Sequence, residues 1–270
     1  MYDPLQMPAL LDDDFKKLVD YKEERVDGLR EFVICVWCMQ PKGLERRVVK
    51  DIVLIDGCTE LVVSVDTRQM CWAAPSMDKT AYNEVTKVEK RYIGVKFKPA
   101  AFTQLTGLSP ELLKDRLLPI EEVDQDFCFD ALDGLSFDET KEFLKAYVLK
   151  LIGDKKPNKF VSVFDDFYAA PVATVETLYQ RFHLGPRQCQ RHFLKNFGIS
   201  PQMVLTILRF HYCLRMITKK EVAPKDMLDL IPFSDQSHFI REFKKYLGLT
   251  PYEYLQKYQE DVFLLSTSQE

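Results

Sequence analysis

The chain has 270 residues, 46% of them hydrophobic and 29% charged, a composition that suits one large or two ordinary globular domains and excludes a disordered protein. No basic segment followed by an apolar core opens it and no stretch approaches about 18 uninterrupted apolar residues, so neither a secretory leader nor a membrane span is read; a soluble, cytoplasmic protein with no membrane partner is expected. The net charge of −4 is unevenly placed: residues 171–258 carry 13 Lys+Arg against 7 Asp+Glu, whereas the rest carries 24 basic and 34 acidic residues, which points to a polyanion-binding segment joined to something different.

In chain order, the opening "MYDPLQMPALLDDD" ends in an acidic run, Asp12 to Asp14, read as solvated. Between Arg30 and Phe97 the runs "REFVICVWCM", "VVKDIVLID", "ELVVSV" and "RYIGVKF" are rich in Val, Ile and aromatics and are separated by turn formers such as Pro41-Lys42-Gly43 and Asp56-Gly57. They predict an antiparallel sheet. After Pro99, "PAAFTQLTG" and "SPELLKD" predict short helices, the second capped by Ser109. Ser136-Phe-Asp-Glu139 is a capping-box pattern opening a longer helix with Phe143, Leu144, Tyr147, Val148 and Leu151 along one face. That apolar face suggests a homodimer. Residues 1–152 are therefore read as an α+β sensory or dimerisation domain, 153–159 ("GDKKPNK") as a linker, 160–258 as an all-α domain and 259–270 as a tail.

Sequence motifs for catalysis are missing: there is no GxGxxG, GxxxxGK[ST], HExxH or GxSxG. The seven cysteines are odd in number and mostly embedded in apolar runs, which predicts reduced, buried thiols. Cys35-Val-Trp-Cys38 lies in a predicted strand, where positions i and i+3 face opposite ways, so it is read as structural and not as a redox or zinc pair. Trp37 and Trp72 are read as core. No cofactor, metal or enzymatic activity is expected.

The basic segment repeats itself. "RHFLKNFGISP" (191–201) and "REFKKYLGLTP" (241–251) match at an offset of 50, pairing Arg191 with Arg241, Phe193 with Phe243, Lys195 with Lys245, Gly198 with Gly248 and Pro201 with Pro251. Each copy stops a helix at glycine and restarts it with a hydroxyl cap and proline. Upstream of each corner stands another helix and a turn: Val175 to Phe182 with a turn at 183–185, and a helix to about Leu230 with a turn at 231–234. Two copies are too few for a solenoid, and helix, tight turn, helix is the arrangement that sets a second helix in a DNA major groove. The four histidines, His183, His192, His211 and His238, all lie in this segment.

Residues 171–258 resemble the two-motif DNA-binding domain of the AraC/XylS family of transcriptional regulators. The closest stretch runs from Phe233 to Tyr254, and "ILRFHYCLRMI" (207–217) resembles the long helix joining the two units. More weakly, "IDGCTELVVSV" (55–65) and "GVKFKPAAF" (94–102) resemble a domain found ahead of this motif in some members. The resemblance implies a sequence-specific regulator with double-stranded DNA as partner; it supplies no ligand for the N-terminal domain, where a small-molecule effector or dimerisation is the expectation. Departures are Tyr179 and Leu228 where small residues are usual, Pro232 for the turn glycine and Gly185 for a serine. They leave open a second reading, a helical interaction module that no longer binds DNA.

Arg187, Gln190 and Arg191 fall at i, i+3 and i+4 on one helical face, with Cys189 and Phe193 inward. Gln236, Ser237, Ile240 and Arg241 face outward in the second unit, with Phe239 and Phe243 inward and His238 at the border. Arg with guanine and Gln with adenine are the main bidentate major-groove pairings. These residues, His238 included, are the candidate base readers, and Lys195, Lys244 and Lys245 the candidate phosphate contacts.

Overall fold

The computed structural model describes residues 17–43, 49–85, 90–162, 174–219, 221–229 and 235–258. The acidic run 12–14, the turn 231–234 with Pro232, and the tail lie outside the described residues, as does the side chain of Leu228.

The strands are β1 (Val19–Glu24), β2 (Val33–Pro41), β3 (Val49–Val53), β4 (Thr59–Ser64), β5 (Gln69–Ala73), β6 (Ala81–Val85), β7 (Tyr92–Phe97) and β8 (Leu118–Pro119). Six form one antiparallel sheet in the order β1-β2-β7-β4-β5-β8, and β3 pairs with β6. The apolar runs central in the sheet, β4 and β7, are buried at nearly every position because both of their faces are covered. One face packs on Trp72, which touches Phe97 and Phe102 at 4.9 Å. The other carries Lys96, 3% exposed, whose ammonium lies 3.0 Å from both Asp56 and Glu60. Burial pulls the Lys96 pKa down, but the two carboxylates outweigh it and the ammonium is held well above its ordinary value.

Trp37 corrects one expectation. It is half-buried, outside the main core, packed with Ile34, Cys35 and Cys58 and stacked on Tyr21 at 6.2 Å. It lies across Gly94, its register partner, where an added Cβ would sit 2.2 Å from the indole. Only glycine gives the ring that space. Cys35 and Cys38 pack into different clusters on opposite faces of β2, and neither forms a disulfide.

Helix α1 (Ala101–Thr106) and a 3-10 turn (Pro110–Leu113) follow, the latter capped by Ser109, whose hydroxyl accepts from Glu111 N at 3.3 Å. Helix α2 (Phe137–Ile152) starts at the capping box: Ser136 N donates to Glu139 Oε2 at 2.8 Å and Glu139 N to Ser136 Oγ at 3.3 Å. Its apolar face does not await a partner. Leu144 and Val148 are fully buried in the chain's own core, and Phe127 covers Phe143 and Tyr147, so the motive for dimerisation through this face is removed.

The C-terminal part is helical: α3 (Val175–Phe182), α4 (Pro186–Phe197), α5 (Pro201–Thr218), α6 (Gln236–Leu247) and α7 (Pro251–Tyr258). Before α6 the chain forms a 3-10 helix, Pro224–Asp229, where an α-helix was expected. Both halves share one buried cluster. The 54–58 loop lies on α5, with Gly57 (φ +68°) facing Ile199 and Ile207.

Candidate nucleic-acid interface

Helix α3 is capped by Thr174, whose hydroxyl accepts from Thr177 N at 3.3 Å, and it buries Leu178 and Phe182. It stops at His183, a non-glycine residue in the left-handed region (φ +52°, ψ +44°). The chain closes there through His183 N to Gln180 O and Leu184 N to Tyr179 O, both 3.1 Å. Gly185 then caps α4 without a side chain, and only the return half of a capping box forms: Gln188 Oε1 accepts from Gly185 N at 3.4 Å.

Within α4, Cys189, Phe193, Asn196 and Phe197 are buried, at i, i+4, i+7 and i+8. Phe193 packs edge-on to Phe182 at 5.1 Å, which locks α4 against α3, and tilts against Phe197 at 4.9 Å within α4. Burial raises the Cys189 thiol to about 11, so it is an unreactive core group. The opposite face presents Arg187, Gln190, Arg191 and Lys195, all exposed. Gln190 also borders a cleft of about 400 Å³ lined by Thr174, Tyr179, Gln202, Leu205 and Arg209. Tyr179, large where the resemblance expects a small residue, stands at the wall of this cleft.

Helix α6 repeats the plan of α4. Asp235 caps α6, its Oδ1 accepting from His238 N at 2.7 Å. Phe239, Phe243, Tyr246 and Leu247 are buried, while Gln236, Ser237, Arg241, Lys244 and Lys245 are exposed. His238 is half-buried. Ile240 departs from its expected outward position: it is half-buried and packs on the core, because it lies three residues before Phe243 and seven before Leu247, at the flank of the buried stripe. Lys245 reaches over the Tyr246 ring at 5.0 Å. Both helices end in left-handed glycines, Gly198 (φ +69°) and Gly248 (φ +81°), at the offset of 50.

Contacts between the halves had no signal in hydrophobic periodicity. Thr103 Oγ1 donates toward the Lys195 and Asn196 carbonyls, each at 3.3 Å. Thr80 Oγ1 donates to Tyr246 O at 2.5 Å. His211, buried on α5, bonds Ile55 O through Nε2 at 2.6 Å; a carbonyl only accepts, so Nε2 carries the proton. Among the described residues no cluster of three or more His, Cys, Asp or Glu could hold a metal ion, and no helix is long and apolar enough to cross a membrane.

Comparison with known proteins agrees with this geometry. Residues 178–257 match a family model described as a helix-turn-helix domain, and residues 27–119 match a domain of unknown function (DUF6597). An uncharacterised HTH-type transcriptional regulator of Bacillus subtilis, YtdP, is 30% identical over 84 residues, 31% of this chain. The chain spans 11% of the length of that relative. Among solved structures, ToxT of Vibrio cholerae aligns over 89% of this chain and 98% of its own at 11% identity and a TM-score of 0.41. ToxT bound to an unsaturated fatty acid aligns over 79% and 96% at 14% identity and a TM-score of 0.35. At those TM-scores the likeness carries no argument about this chain. The family match over 178–257 and the recurrence of α4 and α6 agree: residues 178–257 form a helix-turn-helix domain.

Proposed function

We propose that the chain is a sequence-specific, DNA-binding transcriptional regulator in which α4 and α6 read successive major-groove segments. Arg187, Gln190 and Arg191 on α4, and Gln236, Ser237, His238 and Arg241 on α6, address base edges; Lys195, Lys244 and Lys245 hold phosphates. The observation that carries this reading is the recurrence, 50 residues apart, of an exposed polar and basic face opposite a fully buried aromatic stripe. Solvated faces on unrelated helices have no reason to recur at one repeat position of a net-positive segment. Because α4 offers two arginines and a glutamine and α6 turns Ile240 toward the core, α4 supplies more of the base discrimination.

Two such helices on one chain suit a non-palindromic site of roughly two helical turns. The division at 153–159 belongs to the same proposal, with 1–152 as the sensory part and 160–258 as the reader. An effector site in the sensory part is supported by the half-exposed Tyr21–Trp37 pair over Gly94. Selection of binding sites from random duplex DNA with the full chain tests the function. A two-part motif is the expected result; no enrichment over several rounds overturns the proposal.

A further inference from the structure

The last turn of an α-helix leaves carbonyls without intrahelical donors, and something must satisfy them. In α4 and α6 the capping glycines close one bond each, Gly198 N to Leu194 O at 3.0 Å and Gly248 N to Lys244 O at 2.8 Å. Two residues before each glycine, the carbonyls of Asn196 and Tyr246 are met by hydroxyls from the N-terminal half, Thr103 and Thr80. Asn196 and Tyr246 are 50 residues apart. The same carbonyl of each repeat is thus held by a threonine, although Thr80 and Thr103 stand on different segments of the sheet domain.

Neither threonine is isolated. Thr80 Oγ1 also accepts from Ile55 N at 3.3 Å, and Ile55 O accepts from His211 on α5, so one residue of the 54–58 loop links α6 to the helix that joins the two units. The neighbouring residue, Asp56, is tied to the sheet through buried Lys96 and accepts from Ser76 Oγ at 3.0 Å. Thr103 sits on α1, and beyond it Gly198 abuts Met77, Pro110 and Glu111, with an added Cβ 2.8 Å from the Met77 sulfur. Ile55, Met77 and Phe102 share one buried cluster with the strands of the six-stranded sheet, so both recognition helices are fastened at equivalent points to one platform.

We infer that Thr80 and Thr103 are positioning residues for DNA readout: by anchoring the C-terminal ends of α6 and α4 to the sheet domain, they fix the separation of the two recognition helices and so the interval between the two DNA segments. Neither touches DNA. This inference rests on the reading under Proposed function. It gives the N-terminal half a direct mechanical hold on specificity, because any displacement of the 54–58 and 74–80 segments moves α6 relative to α4.

The test uses the full chain with Thr80→Val, Thr103→Val, both together, and the matching serine variants. Valine keeps the shape and removes the hydroxyl; serine keeps the hydroxyl. Affinity is measured for the selected site and for versions with the interval between segments changed by one or two base pairs. Each valine variant is expected to lose roughly fivefold of the preference for the selected interval, the worth of one hydrogen bond, and each serine variant to restore it. Unchanged interval preference in the valine variants, or serine variants that behave like valine, overturns the inference while leaving DNA binding intact. A wild-type chain that selects no motif overturns the DNA reading, and this inference with it. Amide exchange then separates the anchoring from the readout. Thr80→Val should loosen the last turn of α6 and spare that of α4, and Thr103→Val the reverse; the absence of such a pattern overturns the anchoring too.

Discussion

Lys96 shows how one residue can decide the order of a whole segment. Its ammonium sits between Asp56 and Glu60 with all three side chains nearly sealed from water. Replacing it with methionine leaves two carboxylates buried against each other, and breaking such a group by removing one partner costs about 3–5 kcal/mol. Urea denaturation of Lys96→Met should show a loss of that size; a change under about 1 kcal/mol, the range of an exposed pair, would contradict the burial. The readers are expected to divide by chemistry. Arg191→Ala should relax base preference in one segment of the selected site and cost about 1–3 kcal/mol, while Lys245→Ala should weaken all sequences alike and lower the salt slope by about one, as titrations at several salt concentrations would show.

At the scale of elements, the two recognition helices have equal length and end in the same way, but their ends differ in surroundings. Gly198 and Gly248 both require the left-handed region, where a Cβ costs roughly 1–2 kcal/mol. At Gly198 the added methyl also meets Met77 and the backbone of Pro110 and Glu111, whereas Gly248 is exposed. Gly198→Ala should therefore destabilise the chain more than Gly248→Ala in parallel denaturation curves; the reverse order would contradict the docking of α4. The glycine stops, the Ser-Pro and Thr-Pro restarts and the aromatic stripes were legible in the sequence because each is local chemistry at short spacing. The runs leading to β2, β3, β4 and β7 were legible for the same reason. Strand β1, "VDYKEE", was not, since it is charged and held by register with β2, and two-residue β8 has no pattern of its own. Lys96 carried no signal in the sequence because its partner Asp56 is 40 residues away. Thr80 and Thr103 carried no mark either, because a threonine's partner across a domain contact leaves no periodicity.

For the whole molecule, the contact between the halves makes stability and DNA geometry depend on the same few bonds. Burial is the chief cause lowering the His211 pKa, opposed by Asp56 and by the bond to Ile55. Its folded value thus lies below the unfolded value of about 6.5, so the neutral ring's contribution is complete above that pH and is lost as pH falls beneath it. Acidification from pH 7.5 to 5.5 should lower the denaturation midpoint more in the wild type than in His211→Gln, which keeps a donor and does not titrate; equal losses would contradict this role. The central claim, that one chain lays two helices on DNA at once, is tested most directly by hydroxyl-radical footprinting of the full chain on its selected site. The account predicts two protected tracts on one face of the duplex, with centres roughly 10 base pairs apart. A single tract, with Arg241→Ala leaving both the footprint and the affinity unchanged, would contradict it.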